Sequence, residues 1–350
     1  MFIMRVLLCQ LDGEFPNHAL MRVAVHHRER GDDVELRHIG NVQAASRRLL
    51  DDFGAVYASA VFEWSRPVAA RILEIYPHAF IGGPGWDDIP DAAGKLVSIA
   101  TRLKTASVTS LEGVGITTAK KDYSFWPLFK ESIGFTMRGC RMSCGFCKVP
   151  VIEGKAHADE TIHNIWRGDP YPKHLILWDN DTFGSPNWRQ EFASIRDGGF
   201  KVSFNQGVNA RLMNDENAEA LASMPCYNAK FTDKRWYTAW DNKDDEEILF
   251  RGLNRLVRYG VKPYQIMVYM LIGYWPGESH EDREQRRNKL LDFGVLPYPM
   301  VYRKNPNQRE LSRYARWVIR RLYKVCSWED YKPETCGKEL RDPFGLRAAV

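Results

Sequence analysis

Short apolar runs alternate with helix-period segments along most of this 350-residue chain, and this alternation restricts its fold more than any other feature. A strand that is apolar on both faces must be covered on both. Strands joined through helices run parallel, because the crossover returns the chain to the same edge of the sheet. The pattern therefore predicts an α/β protein built on parallel sheets.

The alternation has two parts. Apolar runs at 4–8, 34–36, 55–60 and 79–81, with helical patterns at 19–30 and 67–75, predict a Rossmann-like domain over residues 1–100. Residues 86–130 have little periodicity and many turn signals, and 101–131 reads as a linker. Beyond it, strands are expected at 133–138, 174–178, 201–204, 228–232, 265–272 and 299–302. Helices are expected near 159–166, 187–196, 214–224, 244–259 and 279–292. Six strand–helix units predict a partial (β/α)6 TIM-type barrel over 132–303, with functional residues at the carboxyl ends of its strands. The tail, 304–350, carries an amphipathic helix with Leu311, Tyr314, Trp317 and Leu322 on its apolar face, expected to pack as a cap.

No stretch approaches the roughly 18 consecutive apolar residues of a membrane span. The opening MFIMRVLLCQ runs directly into polar LDGEF and reads as a first strand, so a cytoplasmic protein with no membrane partner is expected. The net charge of +5 is spread through both halves, with local runs at Arg283, Arg286 and Arg287 and, more densely, at Arg313, Arg316, Arg320, Arg321 and Lys324. These runs read as solvated helix faces, and the same basic excess is compatible with nucleic acid.

Three of the seven cysteines lie within eight residues, in IGFTMRGCRMSCGFCKVP. Cys140, Cys144 and Cys147 form a CxxxCxxC array directly after an apolar strand, where Gly139 and Gly145 permit sharp turns. Such clustering without a disulfide framework points to a metal site. Three thiolates on one loop suit an iron–sulfur cluster with one iron left open to a small molecule. The alternatives are a structural zinc, which normally takes four protein ligands, and three unrelated core cysteines. No second cysteine pair supports zinc, and His157 and His163 lack a ligand-like spacing. Cys9, Cys226, Cys326 and Cys336 suggest no second site.

On this motif the chain resembles the radical S-adenosylmethionine (radical SAM) superfamily, whose CxxxCxxC follows the first barrel strand with an aromatic residue before the third cysteine, here Phe146. The resemblance covers about 132–303. It implies a 4Fe-4S cluster on Cys140, Cys144 and Cys147 whose open iron chelates S-adenosyl-L-methionine. An external reductant such as flavodoxin or ferredoxin would drive cleavage to a 5'-deoxyadenosyl radical, which removes hydrogen from an unidentified substrate. Asp179, Asn180 and Asp181, at the end of the second strand, are candidates for holding the methionine amino group, or are an ordinary turn. Asn205 and Gln206, with Asn209 and Arg211, follow the third strand as candidate ribose, carboxylate or substrate contacts, Asn209 equally as a helix cap. Lys234 and Arg235 follow the fourth, with Asp241 farther on, and Arg235 suits the cofactor carboxylate. Leu271, Ile272 and Gly273, in IMVYMLIGYWPGES, would lie against adenine. No catalytic residue is assigned.

The first domain, through FPNHALMRVAVHHRERGDDVEL and IGGPG, resembles the cobalamin-binding-like domain that precedes the barrel in one radical SAM group. The chain lacks the DxHxxG loop that supplies an axial histidine, and His18, His26 and His27 do not restore it. A cobalamin-free accessory or substrate-binding role is the preferred reading. A cobalamin-dependent methyltransferase and a metal-stabilised nucleic-acid-binding protein are the alternatives.

Overall fold

The computed structural model describes residues 3–49, 51–86, 107–108, 111–302 and 308–333. Parts of the expected linker and tail, and Cys336, lie outside them. The protein is mixed α/β with parallel sheets and divides into two compact units, Met1–Lys130 with Met142–Gly154, and Glu131–Arg141 with Lys155–Val350.

In the first unit, β1 (Arg5–Gln10), α1 (His18–Glu29), β2 (Asp33–His38), α2 (Val42–Arg48), β3 (Ala55–Ser59), α3 (Arg66–Ile75), β4 (Phe80–Gly82) and β5 (Ser107–Val108) build one sheet. Its order is β2-β1-β3-β4-β5 and every pairing is parallel. The continuous apolar run of β1 follows from burial on both faces: Val6 and Leu8 pack with Leu20 and Val23, whereas Leu7 and Cys9 pack with Ile39 and Ile72. Asn17 caps α1, its Oδ1 accepting from Leu20 N at 3.1 Å. Ile116, from the segment expected as linker, is fully buried in the cluster around Val6. The short α2 had no legible apolar stripe and is capped by Asn41. A further short helix, α4 (Val149–Ile152), also belongs to this unit.

The second unit begins with β6 (Ser132–Gly134) and β7 (Met137–Arg138), and β7 pairs antiparallel with β8 (His157–Ala158). After α5 (Ile162–Ile165) come β9 (His174–Leu177), α6 (Trp188–Asp197), β10 (Lys201–Ser203), α7 (Asp215–Ser223), β11 (Trp236–Ala239), α8 (Glu246–Arg258), β12 (Ile266–Ile272), α9 (His280–Phe293), β13 (Leu296–Val301) and α10 (Arg309–Ile319). Two parallel sheets result, ordered β10-β9-β6 and β11-β12-β13, and Val202 makes an isolated parallel bridge to Cys226. One face of both sheets is covered: Leu175, Val202, Val268 and Met270 pack on Phe192 of α6, Leu221 of α7 and Leu253 of α8. On the other face Tyr237, Met267 and Tyr298 form a cluster against which Ile319 of α10 packs.

Two expectations are corrected. Residues 228–232 are not a strand. Asn228 accepts from Thr232 N at 3.1 Å and its Nδ2 reaches Asp233 at 3.1 Å, folding the segment into a turn with Phe231 at φ +57°, and the strand follows at β11. Arg283, Arg286 and Arg287 are not on a solvated face. They form the buried stripe of α9, at 6%, 4% and 8% exposure, each paired with a glutamate. In α10 the apolar face was legible: Leu311, Tyr314 and Trp317 are buried as expected, and Leu322 is buried just beyond it. Among the described residues no helix is long and apolar enough to cross a membrane.

Candidate metal centre

The cysteine motif begins where β7 ends. Gly139 adopts φ +71°, a left-handed turn that a side chain would oppose, and Cys140 follows it. Arg141, the next residue, is gripped by Asp181: Nε and Nη2 donate to the carboxylate at 2.7 and 2.9 Å, and the Arg141 backbone N–H donates at 3.0 Å. Asp181 is 1% exposed, so this fork ties the start of the motif to the loop that follows β9. Gly184 leaves the room for it, since a Cβ there would lie 2.5 Å from Asp181 Oδ2.

Asp179 sits at the same strand end and is fully committed. Its Oδ1 accepts from Thr136 N at 2.7 Å and Met137 N at 3.3 Å, and its Oδ2 accepts from the Thr136 hydroxyl at 2.5 Å. Burial pushes its carboxyl up to about 6 against these hydrogen bonds, which favour the ionised form. Asn180, between the two aspartates, is half-buried.

The rest of the motif belongs to the first unit. The Cys147 N–H donates to Cys144 O at 2.9 Å, closing a tight turn that contains Gly145 and half-buried Phe146. Lys148, directly after Cys147, pairs with Glu63 at 2.6 Å and reaches Pro84 O at 3.3 Å. Cys140, Cys144 and Cys147 are all partly exposed, whereas Cys9 and Cys226 are buried and burial raises both thiols, Cys9 to about 12. Among the described residues no three His, Cys, Asp or Glu side chains are gathered into a ready-made metal site. The donor chemistry nevertheless suits an iron–sulfur cluster: three accessible thiols, each half of the motif pinned by a cation beside a cysteine.

The other candidates lie in the second unit. Asn205 is half-buried and its carbonyl accepts from the Tyr269 hydroxyl at 2.6 Å, its own Oδ1 being buried with no hydrogen-bond partner among the described residues; Gln206 is exposed. Asn209 accepts from Arg211 N at 3.2 Å as a cap, and Arg211 pairs with Asp245 at 2.7 Å. Lys234 is exposed. Arg235 donates to Tyr264 O at 3.0 Å, with burial lowering its guanidinium. Burial also pushes Asp241 up to about 6, against the pull of Arg211. Leu271 and Ile272 are buried at the end of β12, and Gly273 turns the chain at φ +77°.

Sequence reasoning missed Thr136 and Arg141, read Arg286 as part of a solvated face and gave Glu278 no role of its own. Arg141 carried a signal in its place inside the cysteine motif, and Glu278 in the strand–glycine–proline–glycine–acid run that it closes. In FIGGPG, Cβ atoms at Gly83 and Gly85 would lie 2.4 Å from Ala60 O and from the Phe62 backbone, so these glycines admit a neighbouring loop. Asp12 fills the same strand ends, accepting from Val61 N at 3.1 Å, Phe62 N at 2.9 Å and Ser65 Oγ at 2.6 Å.

No family model, curated protein or solved structure matches the chain.

Proposed function

We propose that the chain is a radical SAM enzyme, with a 4Fe-4S cluster held by Cys140, Cys144 and Cys147. The observation that carries this reading is the CxxxCxxC array opening at the end of β7, with its first cysteine beside the Arg141–Asp181 fork. On this reading the two three-stranded sheets are halves of an open (β/α)6 barrel. Their strands follow one another in chain order and α6, α7 and α8 cover one shared face, which supports that arrangement. When bound, the cluster supplies the electron that cleaves S-adenosyl-L-methionine to methionine and a 5'-deoxyadenosyl radical, with flavodoxin or ferredoxin as external donor.

The protein's own part is to hold and orient. The three thiolates gather on the cluster as it binds, because ligand ordering and metal binding are coupled. Arg141 and Lys148 restrict the loop before that event. Asp181 acts through Arg141. Asp179 braces Thr136 and Met137, which makes it a support for the loop in place of a direct cofactor ligand. Asn205, whose buried acceptor has no partner among the described residues, is the best placed of the strand-end amides to meet a ligand.

The first unit is read as a Rossmann-like accessory domain. Its glycine turn is packed by its own backbone and Asp12 occupies the adjoining amides, which does not fit a phosphate or corrinoid cradle. Anaerobic reconstitution with iron and sulfide tests the proposal. The wild type should hold about four irons and four sulfides and form 5'-deoxyadenosine on reduction, and Cys144→Ala should do neither. One zinc with no sulfide would refute the cluster.

A further inference from the structure

We propose that Arg286 and Glu278 form a positioning clamp that fixes the cofactor-facing turn at the end of β12. Arg286 is 4% exposed and its guanidinium reaches the ends of two strands at once. Nη1 donates to Trp240 O at 3.2 Å, just past β11, and to Leu271 O at 3.1 Å; Nη2 donates to Leu271 O at 3.0 Å and to the Glu278 carboxylate. Glu278 Oε2 in turn accepts from Gly273 N at 2.6 Å. One buried charge pair thus holds Trp240, Leu271 and Gly273 in a fixed relation.

The arrangement exceeds what packing requires. Backbone carbonyls at strand ends are ordinarily satisfied by water or a local turn, whereas here a desolvated arginine takes two of them. The same helix contains an internal comparison. Arg287 pairs with Glu284 at 2.7 Å, and Glu284 also accepts from the Tyr314 hydroxyl at 2.8 Å. That pair faces the aromatic core of α10 and, among the described residues, bonds none of the strand-end carbonyls. Arg283 lies between the two sets, 2.9 Å from Glu310 and 3.9 Å from Glu278, and a Cβ at Gly273 would lie 2.4 Å from Leu311. The turn is therefore held from both sides, by Leu311 packed against Gly273 and by Glu278 at the Gly273 amide.

This inference rests on the reading of residues 271–273 as a cofactor contact, and the experiment separates the two. Binding of S-adenosyl-L-methionine is measured by anaerobic equilibrium dialysis against the iron-loaded, oxidised protein, alongside iron content and thermal midpoint. Glu278→Ala should weaken binding about ten-fold at unchanged iron content, the scale expected when a partner that orients a ligand group is removed. Glu284→Ala should lower the midpoint and leave the affinity as in the wild type. If Glu278→Ala does not fold, the double variant Glu278→Leu with Arg286→Met removes both charges together and should fold yet bind as weakly. Equal loss of affinity in the Glu278 and Glu284 variants, or unaltered affinity in a folded Glu278 variant, overturns the clamp. A wild type that holds iron but binds no S-adenosyl-L-methionine overturns both the clamp and the reading of the turn, and one without iron overturns the proposed function.

Discussion

Asp179→Asn offers the sharpest test of how the strand ends are built. The folded carboxyl titrates at about 6 against an ordinary 3.8, with burial as the dominant cause. At 1.36 kcal/mol per unit of pKa, ionising it costs about 3 kcal/mol more in the folded chain than in the unfolded one. Below about pH 4 both states hold the proton and the penalty is absent. As pH rises past the unfolded value, the unfolded chain ionises first and stability drains away. The full penalty is in place once pH passes the folded value. Asparagine never ionises. Its Oδ1 can accept from Thr136 N and Met137 N, and its Nδ2 can donate to the Thr136 hydroxyl, which rotates to accept. Denaturant titrations of both proteins across this range should show the variant gaining on the wild type by about 3 kcal/mol between about pH 4 and pH 8. Asp241, also raised to about 6, titrates identically in both and cancels. A difference that does not change with pH, or that favours the wild type as pH rises, would refute the assignment of Asp179 as a desolvated brace.

Other consequences follow from the packing. Gly184→Ala places a Cβ 2.5 Å from Asp181 Oδ2 and 2.9 Å from Ala156 Cβ, and should cost about 1–3 kcal/mol in denaturant titration while reducing the iron retained on reconstitution. Asp12→Ala strips three hydrogen bonds from the loop after β3 and should destabilise the first unit by about 2–3 kcal/mol, visible as faster amide exchange at Val61 and Phe62. Gly273→Ala meets both a left-handed backbone and Leu311 at 2.4 Å, and its thermal midpoint should fall even in protein without iron.

The local features are legible in the chain alone. The strand–helix alternation placed most elements within a few residues, since burial on both faces forces continuous apolar runs and helix caps such as Asn17 and Asn214 act over three residues. The cysteine array was legible for the same reason: its spacing is short enough for chemistry to be read from the chain alone. The tertiary structure decided what each polar strand-end residue is bonded to. Asp179 meets Thr136 across 43 residues and Asp181 meets Arg141 across 40, and neither spacing marks a partner in advance. The α9 arginines were misread because a charged stripe and a buried paired stripe share one periodicity; only the positions of Glu278, Glu310 and Glu284 distinguish them. Charge is local in sequence, whereas its compensation depends on the fold.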